Sequence, residues 1–235
     1  METLNILEPL LNCGNVVSIV GAGGKTSLLY TLAGARTARG ARTAVLTTTK
    51  IVAPAAYCRT AGDCLARWQD GRYAVCGEPA AEGKLAPPRA ALLGWLLQTA
   101  DCLLIEADGA KRRPCKAPAG YEPVILPETD AVIGVMGLDA LGQAVGAICH
   151  RPERVCALLG CAPEHVLTES DLAHILLSEN GTRKEVRDRP YYIVLNKCDD
   201  AARRVQGERI AALLAARGHT KTILTRLKKG EINHA

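Results

Sequence analysis

The sequence predicts an α/β fold in which a mostly parallel sheet carries helices on both faces. Three observations predict it. Apolar, β-rich runs recur along the 235 residues with helical patterns between them. Near-continuous apolar strands that alternate with helices build parallel sheets covered on both sides. The first run, Val16 to Val20, leads into the glycine loop Gly21-Ala22-Gly23-Gly24, then Lys25-Thr26 and a helical run. Later runs end in polar residues, and ligands of parallel α/β sheets bind at the carboxyl ends of the strands. Together these features describe a three-layer, P-loop NTPase-like fold, and a chain of this length forms it as a single domain over residues 1–235.

In chain order, strands are expected at 16–20, 43–46, 102–105, 131–135, 191–195 and 222–224, with a short strand at 73–76 at one edge. Helices are expected at 26–39, 89–98, 152–159, 169–177 and 207–217. Pro152 and Glu153 suit a first helical turn, and Thr168 with Asp171 reads as an N-terminal cap. Segment 78–88 is rich in Pro, Gly and Ala and reads as a loop. So does 111–128, which holds Pro114, Pro118, Pro123 and Pro127. That second stretch is long for a structureless connection, and long loops in compact domains usually carry function.

Composition sets limits on the ligand. Lys and Arg number 29 against 24 Asp and Glu, a formal net charge of +5. The basic residues are scattered, apart from Lys111-Arg112-Arg113 and Lys228-Lys229. Such a balance suits an anionic ligand and does not argue for nucleic acid. Phe is absent, so the core is built from Leu, Val, Ile and Ala. The segment Met1 to Leu11 lacks a basic region, and no apolar run reaches the length of a membrane span, so a cytoplasmic protein with no membrane partner is expected. The ten cysteines include no C-x-x-C pair, which argues against the usual zinc spacings and for reduced, mostly buried thiols. Cys102 lies in an apolar run and reads as core. Cys115 and Cys198 sit inside candidate sites, where a thiol could meet selenium or a metal.

Four motifs carry chemistry. The stretch Gly21, Ala22, Gly23, Gly24, Lys25, Thr26 and Ser27 reads as a nucleotide-phosphate cradle. Its glycines let N–H groups turn toward an anion, the helix N-terminus adds partial positive charge, Lys25 reaches the β- and γ-phosphates, and Thr26 ligates Mg²⁺. The pattern is G-x-x-G-K-T, similar to the ATP loop of the amino-acid ligases of cell-wall synthesis; Ile19 stands where the longer loop has its first glycine. After the second strand, Thr47-Thr48-Thr49-Lys50 offers hydroxyls and an amine to phosphate or a Mg²⁺ water. After the third, Glu106-Ala107-Asp108-Gly109 offers two carboxylates to hold Mg²⁺ or orient water. Lys111, Arg112 and Lys116 follow as possible phosphate clamps. After the fifth strand, Asn196-Lys197-Cys198-Asp199 has the N-K-x-D form that reads guanine: Asp199 accepts from the ring N1–H and exocyclic amine, while Asn196 supports the base and the loop. His150 and Arg151 are candidates for substrate contact.

With these residues in view, the chain resembles the selenium-dependent hydroxylase accessory proteins, the YqeC family of selenium-cofactor biosynthesis. The residues that carry the resemblance are Val20–Leu28, Leu46–Lys50, Glu106–Pro118, Gly137–Gly142, His150–Glu153 and Leu195–Asp199. More distantly the chain is similar to the GTPases that assist nickel insertion. The resemblance implies a role in maturing molybdenum hydroxylases, with a molybdenum cofactor, a selenium species, a hydroxylase or another maturation protein as partner. The resulting expectation is a Mg²⁺-dependent protein that binds and hydrolyses GTP or ATP. In it Lys25, Glu106 and Asp108 act in catalysis, Thr26, Glu106 and Asp108 hold the metal, and Thr48, Thr49, Lys50, Asn196, Lys197 and Asp199 complete the nucleotide site. An ATP-dependent ligase or kinase of a cofactor precursor, and a non-hydrolysing cofactor carrier, are the alternatives.

Overall fold

A computed structural model describes residues 2–227, so the basic pair Lys228-Lys229 lies outside the described residues. The strands are β1 Val16–Gly21, β2 Thr43–Thr47, β3 Ile51–Val52, β4 Ala74–Val75, β5 Glu78–Ala80, β6 Lys84–Ala86, β7 Cys102–Glu106, β8 Cys115–Lys116, β9 Ala131–Gly137, β10 Cys149–His150, β11 Tyr191–Asn196 and β12 Thr222–Leu224. The helices are α1 Glu2–Leu11, α2 Lys25–Ala38, α3 Ala61–Gln69, α4 Ala90–Thr99, α5 Val145–Ile148, α6 Pro152–Leu159, α7 Glu169–Leu177 and α8 Ala201–Ala216. The main sheet runs β12-β11-β9-β1-β7-β2-β4, and all of its pairings are parallel.

Alternation within the strands decides the layers, because successive side chains leave a strand on opposite faces. Val17 and Ile19 of β1, Leu104 of β7 and Ile133 and Val135 of β9 pack with Leu7 and Leu10 of α1 and Leu28, Leu29 and Leu32 of α2. Their neighbours Val20, Val132, Met136, Ile193 and Leu195 face the other way, onto Leu172, Ile175 and Leu176 of α7 and Ile210 and Leu214 of α8. On the same side, Ala44, Leu46, Leu103 and Ile105 meet Cys64 of α3 and Leu92 and Leu96 of α4. The result is the expected three-layer α/β fold. No helix among the described residues is long and apolar enough to cross a membrane.

The connections place β1 centrally. The chain leaves β1 through α2 to β2, returns to β7 beside β1, and then crosses to β9 on β1's other side. Register aligns the carboxyl ends: Ile19 lies opposite Glu106, Thr47 opposite Glu106, Gly21 opposite Val135, and Asn196 opposite Gly137.

Several local expectations hold. Thr168 and Asp171 form a reciprocal capping box on α7, Pro152 opens α6, and Cys102 is buried. Others need correction. Segment 78–88 is a hairpin: β5 and β6 pair antiparallel and β6 also pairs with β3. Of this stretch Leu85 joins the apolar core cluster and Pro88 is also buried, and strands this short show no readable alternation. Helix α8 begins at Ala201, before the expected 207, because Asp200 caps it by accepting from the Arg203 N–H; its early residues are mostly exposed and carry no apolar stripe. Segment 111–128 contains β8, which pairs parallel with β10. It is pinned again by Lys184, whose Nζ donates to the carbonyls of Ala119 (2.8 Å), Gly120 (2.7 Å) and Glu122 (2.8 Å). Lys184→Ala removes all three charge-assisted bonds. It should lower stability by about 2 kcal/mol and speed limited proteolysis within 111–128, as read by denaturant unfolding and by mapping of the cleavage sites.

Candidate functional site

The glycine loop turns where only glycine fits. Gly21, Gly23 and Gly24 have φ of +93°, +81° and +132°, a region that L side chains avoid. A Cβ on Gly23 would lie 2.1 Å from the Gly137 nitrogen, and one on Gly24 2.1 Å from Asn196 Nδ2. The loop is therefore pressed against the ends of β9 and β11.

The expected cradle of loop amides is displaced by a few residues. The Gly21 N–H donates to Asp108 Oδ2 (3.0 Å), the Ala22 N–H to the Val135 carbonyl (2.8 Å) and the Gly23 N–H to the Arg113 carbonyl (3.1 Å). These three donors are engaged by the chain. The first helical hydrogen bond of α2 runs from the Leu28 N–H to the Gly24 carbonyl, and α2 begins with no side-chain cap and no acid in its first turn. The amides of Lys25, Thr26 and Ser27 are those that a helix leaves without partners inside itself. The first turn of this helix, and not the amides of Gly21, Ala22 and Gly23, thus supplies donors suited to an anion. Ser27 contributes its backbone there; its carbonyl accepts from Thr31 Oγ1 (2.8 Å).

The side chains expected to hold metal and phosphate do converge. Thr26 Oγ1 donates to Glu106 Oε2 at 2.8 Å. Lys25 Nζ donates to the Gly21 carbonyl (2.6 Å) and lies 3.1 Å from Asp108 Oδ1. Burial by itself would push the Lys25 ammonium down, but Asp108 and then Glu106 outweigh it and hold its pKa above the ordinary value. Burial raises the Glu106 carboxyl, with Lys25 and Thr26 acting against that rise.

Asp108 also begins a chain of buried charges. Its Oδ2 is 2.8 Å from Lys116 Nζ, which reaches Glu122 Oε2 at 3.0 Å and donates to the Gly109 carbonyl (2.7 Å). Glu122 then meets Arg151 at 2.6 Å. Lys116 is 2% exposed, so the expectation that it clamps phosphate is corrected: its ammonium is fully occupied inside the protein. Arg151, a candidate for substrate contact, is committed to Glu122 and to the Tyr121 hydroxyl (3.1 Å), and half-buried His150 lies beside Lys116 in the β8–β10 pairing. Burial opposes ionisation of Glu122, but Lys116 and Arg151 hold its carboxyl at about 2. Glu122 and Lys184 were not singled out from the sequence; an acid and a base in irregular stretches carry no local signal.

The threonine run is mostly structural. Thr47 Oγ1 donates to the Glu106 carbonyl (2.8 Å) and accepts from the Thr49 N–H (3.0 Å), and Thr48 Oγ1 donates to the Val124 carbonyl (2.7 Å). This run ties β2 to β7 and to segment 111–128. Lys50, Lys111 and Arg112 are exposed. In the N-K-x-D stretch, buried Asn196 donates from Nδ2 to the Gly23 carbonyl (2.9 Å), and its Oδ1 accepts from Thr225 Oγ1 (3.0 Å) and the Leu227 N–H (2.9 Å). Lys197 pairs with Asp139 of the Gly137–Gly142 run. The Asp199 carboxylate is exposed, with Arg203 at 3.6 Å. Asn196 therefore fastens this stretch to the glycine loop and leaves Asp199 open to solvent.

All ten cysteines are free. Cys115 is buried in the core, opposite Cys149 in the β8–β10 pairing, and offers no exposed thiol. Cys198 is half-buried and packs against the same core. Among the described residues no group of three or more His, Cys, Asp or Glu is arranged to hold a metal ion. Thr26 and Glu106 form a smaller set of hard oxygen donors.

Residues 17–153 match the model of the family described as YqeC protein. That span holds the glycine loop, both carboxylates and the whole buried charge chain; Asn196–Asp199 lie beyond it. The chain is also 34% identical over 181 residues to "Uncharacterized protein YqeC" of Escherichia coli (strain K12), covering 73% of this chain and 71% of that protein.

Two outcomes follow from the charge chain. Asp108→Ala leaves Lys25 and Lys116 buried without their shared counter-charge and should cost about 3–5 kcal/mol in denaturant unfolding. Glu122 has a folded-state pKa below the ordinary 4.5. Its contribution to stability is therefore complete above that value and is lost as pH falls from 4.5 toward about 2. Unfolding midpoints measured across this range should fall less steeply for Glu122→Gln than for the natural chain.

Proposed function

The chain belongs to the YqeC family, and on that premise we propose that it is a Mg²⁺-dependent nucleotide-binding and nucleotide-hydrolysing protein. In this reading it serves, in the cytoplasm, the maturation of the selenium-containing molybdenum cofactor of molybdenum hydroxylases. One observation carries the nucleotide reading. Thr26 Oγ1 and Glu106 Oε2 meet at 2.8 Å at the uncapped start of α2, with Lys25 beside them.

The donor set fits the metal. Mg²⁺ takes oxygen ligands and is commonly held through one or two carboxylates together with substrate phosphates and waters. Thr26 and Glu106 would hold it, with Asp108 as the second carboxylate. Bound there, Mg²⁺ supplies neutralisation of charge on the phosphate oxygens. The chain's own residues do the rest. The first-turn amides of α2 bind phosphate oxygen. Lys25 exchanges Asp108 for the β- and γ-phosphates. Asp199 accepts from the guanine N1–H and exocyclic amine, and Asn196 keeps that acid in register with the glycine loop.

Hydrolysis then has a route to a partner. The Gly23 N–H bonds to the Arg113 carbonyl, and Asp108 shares its charge with Lys116. Any shift of Lys25 toward phosphate alters the field on Lys116 and, through Glu122, on segment 111–128. The reading is a slow hydrolase whose nucleotide state sets the arrangement of that segment.

Calorimetry with GTP, ATP and their non-hydrolysable analogues in Mg²⁺ tests this reading. GTP should bind more tightly, Asp199→Ala should weaken GTP by about 10- to 100-fold, and Thr26→Ala should lower turnover by about 100-fold. ATP preference untouched by Asp199→Ala favours a ligase or kinase instead. Failure of both nucleotides to bind overturns the reading.

A further inference from the structure

A second cleft lies at the opposite end of the sheet. It has a volume of about 670 Å³ and opens between the ends of α7 and α8 and the start of β11. Arg183, Arg189, Arg217 and Lys221 line it, with the imidazoles of His174 and His219. Tyr191, the first residue of β11, lines it as well, while Asn196, the last, touches the glycine loop. They are five residue steps apart, about 17 Å at the usual rise. The cleft is therefore distinct from the nucleotide site.

The charges here are left uncompensated. Neighbouring arginines find acids: Arg187 lies 3.2 Å from Glu185, and Arg209 lies 3.6 Å from Glu169. Among the described residues, no ion pair forms to Arg183, Arg189, Arg217 or Lys221, and no carboxylate lines the cleft. Arg183 Nε is buried without a hydrogen-bond partner. Arg189 is fixed by the carbonyls of Thr129 (3.0 Å), Val186 (3.4 Å) and Pro127 (3.4 Å), which orient its guanidinium without neutralising it. His219 packs on Tyr191 with ring centroids 5.5 Å apart. Burial, Arg183 and Lys221 all hold its ring below the ordinary pKa.

Like charges gathered around one concavity repel each other, and the arrangement is stabilised by whatever anion neutralises them. A cleft lined by one sign of charge focuses its field on such a ligand, and guanidinium groups match phosphate oxygens in pairs. The volume is that of a small-molecule site. We propose that this cleft is an anion site for a small molecule bearing two or more phosphate charges, bound independently of the glycine loop.

Inorganic pyrophosphate is the probe, and the ring resonances of His174 and His219 give a local readout by NMR. Titration should shift both, and it should raise the pKa of His219 as the surrounding cations are neutralised. Arg217→Gln and Lys221→Gln alter exposed side chains and should retain the fold. Each should weaken this response about tenfold, the loss of one charge-assisted contact. Thr26→Ala should leave it intact. Resonances that do not move, a response unchanged in both cleft variants, or one abolished by Thr26→Ala would each overturn the proposal. So would a single-stranded oligonucleotide that shifts these rings where pyrophosphate does not.

Discussion

The buried run Lys25–Asp108–Lys116–Glu122–Arg151 is the interaction on which the upper end of this molecule depends. Each internal member meets opposite charges on both sides, and Asp108 and Lys116 are each 2% exposed. Charges so far from water are stable only when paired and hydrogen-bonded. With no competing charge present, the run therefore holds its owners in one arrangement: the start of α2, the end of β7, segment 111–128 and the N-terminus of α6. Apolar packing orders the layers beneath, but it is indifferent to direction and leaves the strand ends unspecified. Paired charges are directional, and here they bind four separate chain segments into one surface.

The glycine loop is held within that surface by contacts on every side. Asp108 takes the Gly21 amide, Val135 and Arg113 take the next two, and Asn196 approaches Gly24 so closely that no side chain fits. A loop engaged in this way has its conformation set by these contacts, and its uncapped helix start is aimed by its neighbours. Preorganised donors of this kind bind charge without the cost of reordering. The opposite end of the sheet follows another rule: Arg189 is held by carbonyls, His219 and Lys221 lie against tyrosine rings, and among the described residues no acid pairs with the cleft's arginines or Lys221, so their field stays open.

Much of this was legible along the chain. The near-continuous apolar strand runs, the glycine-to-helix junction, the carboxylates closing β7 and the Thr168–Asp171 box each depend on residues a few positions apart. Local stereochemistry and the period of the apolar pattern therefore reveal them. The partnerships were not legible. Thr26 and Glu106 are 80 residues apart, and Asn196 and Gly23 are 173 apart. Lys116 illustrates the difference: in sequence it is one more base in a proline-rich loop, indistinguishable from exposed Lys111. Only folding wraps Asp108, Glu122 and the Gly109 carbonyl around it and turns a solvent-facing candidate into an interior counter-ion.

The sequence by itself thus determined the α/β class, the order of the main-sheet strands along the chain and the residue types at the strand ends, because these rest on short-range periodicity and backbone sterics. Tertiary structure alone decided which amides stay available to an anion, which threonines and bases are structural, that Cys115 turns inward, and that a basic cleft forms at the far end of the sheet. Electrostatic and hydrogen-bonding partners are chosen by proximity in space, and the chain order does not encode that proximity until the sheet has assembled.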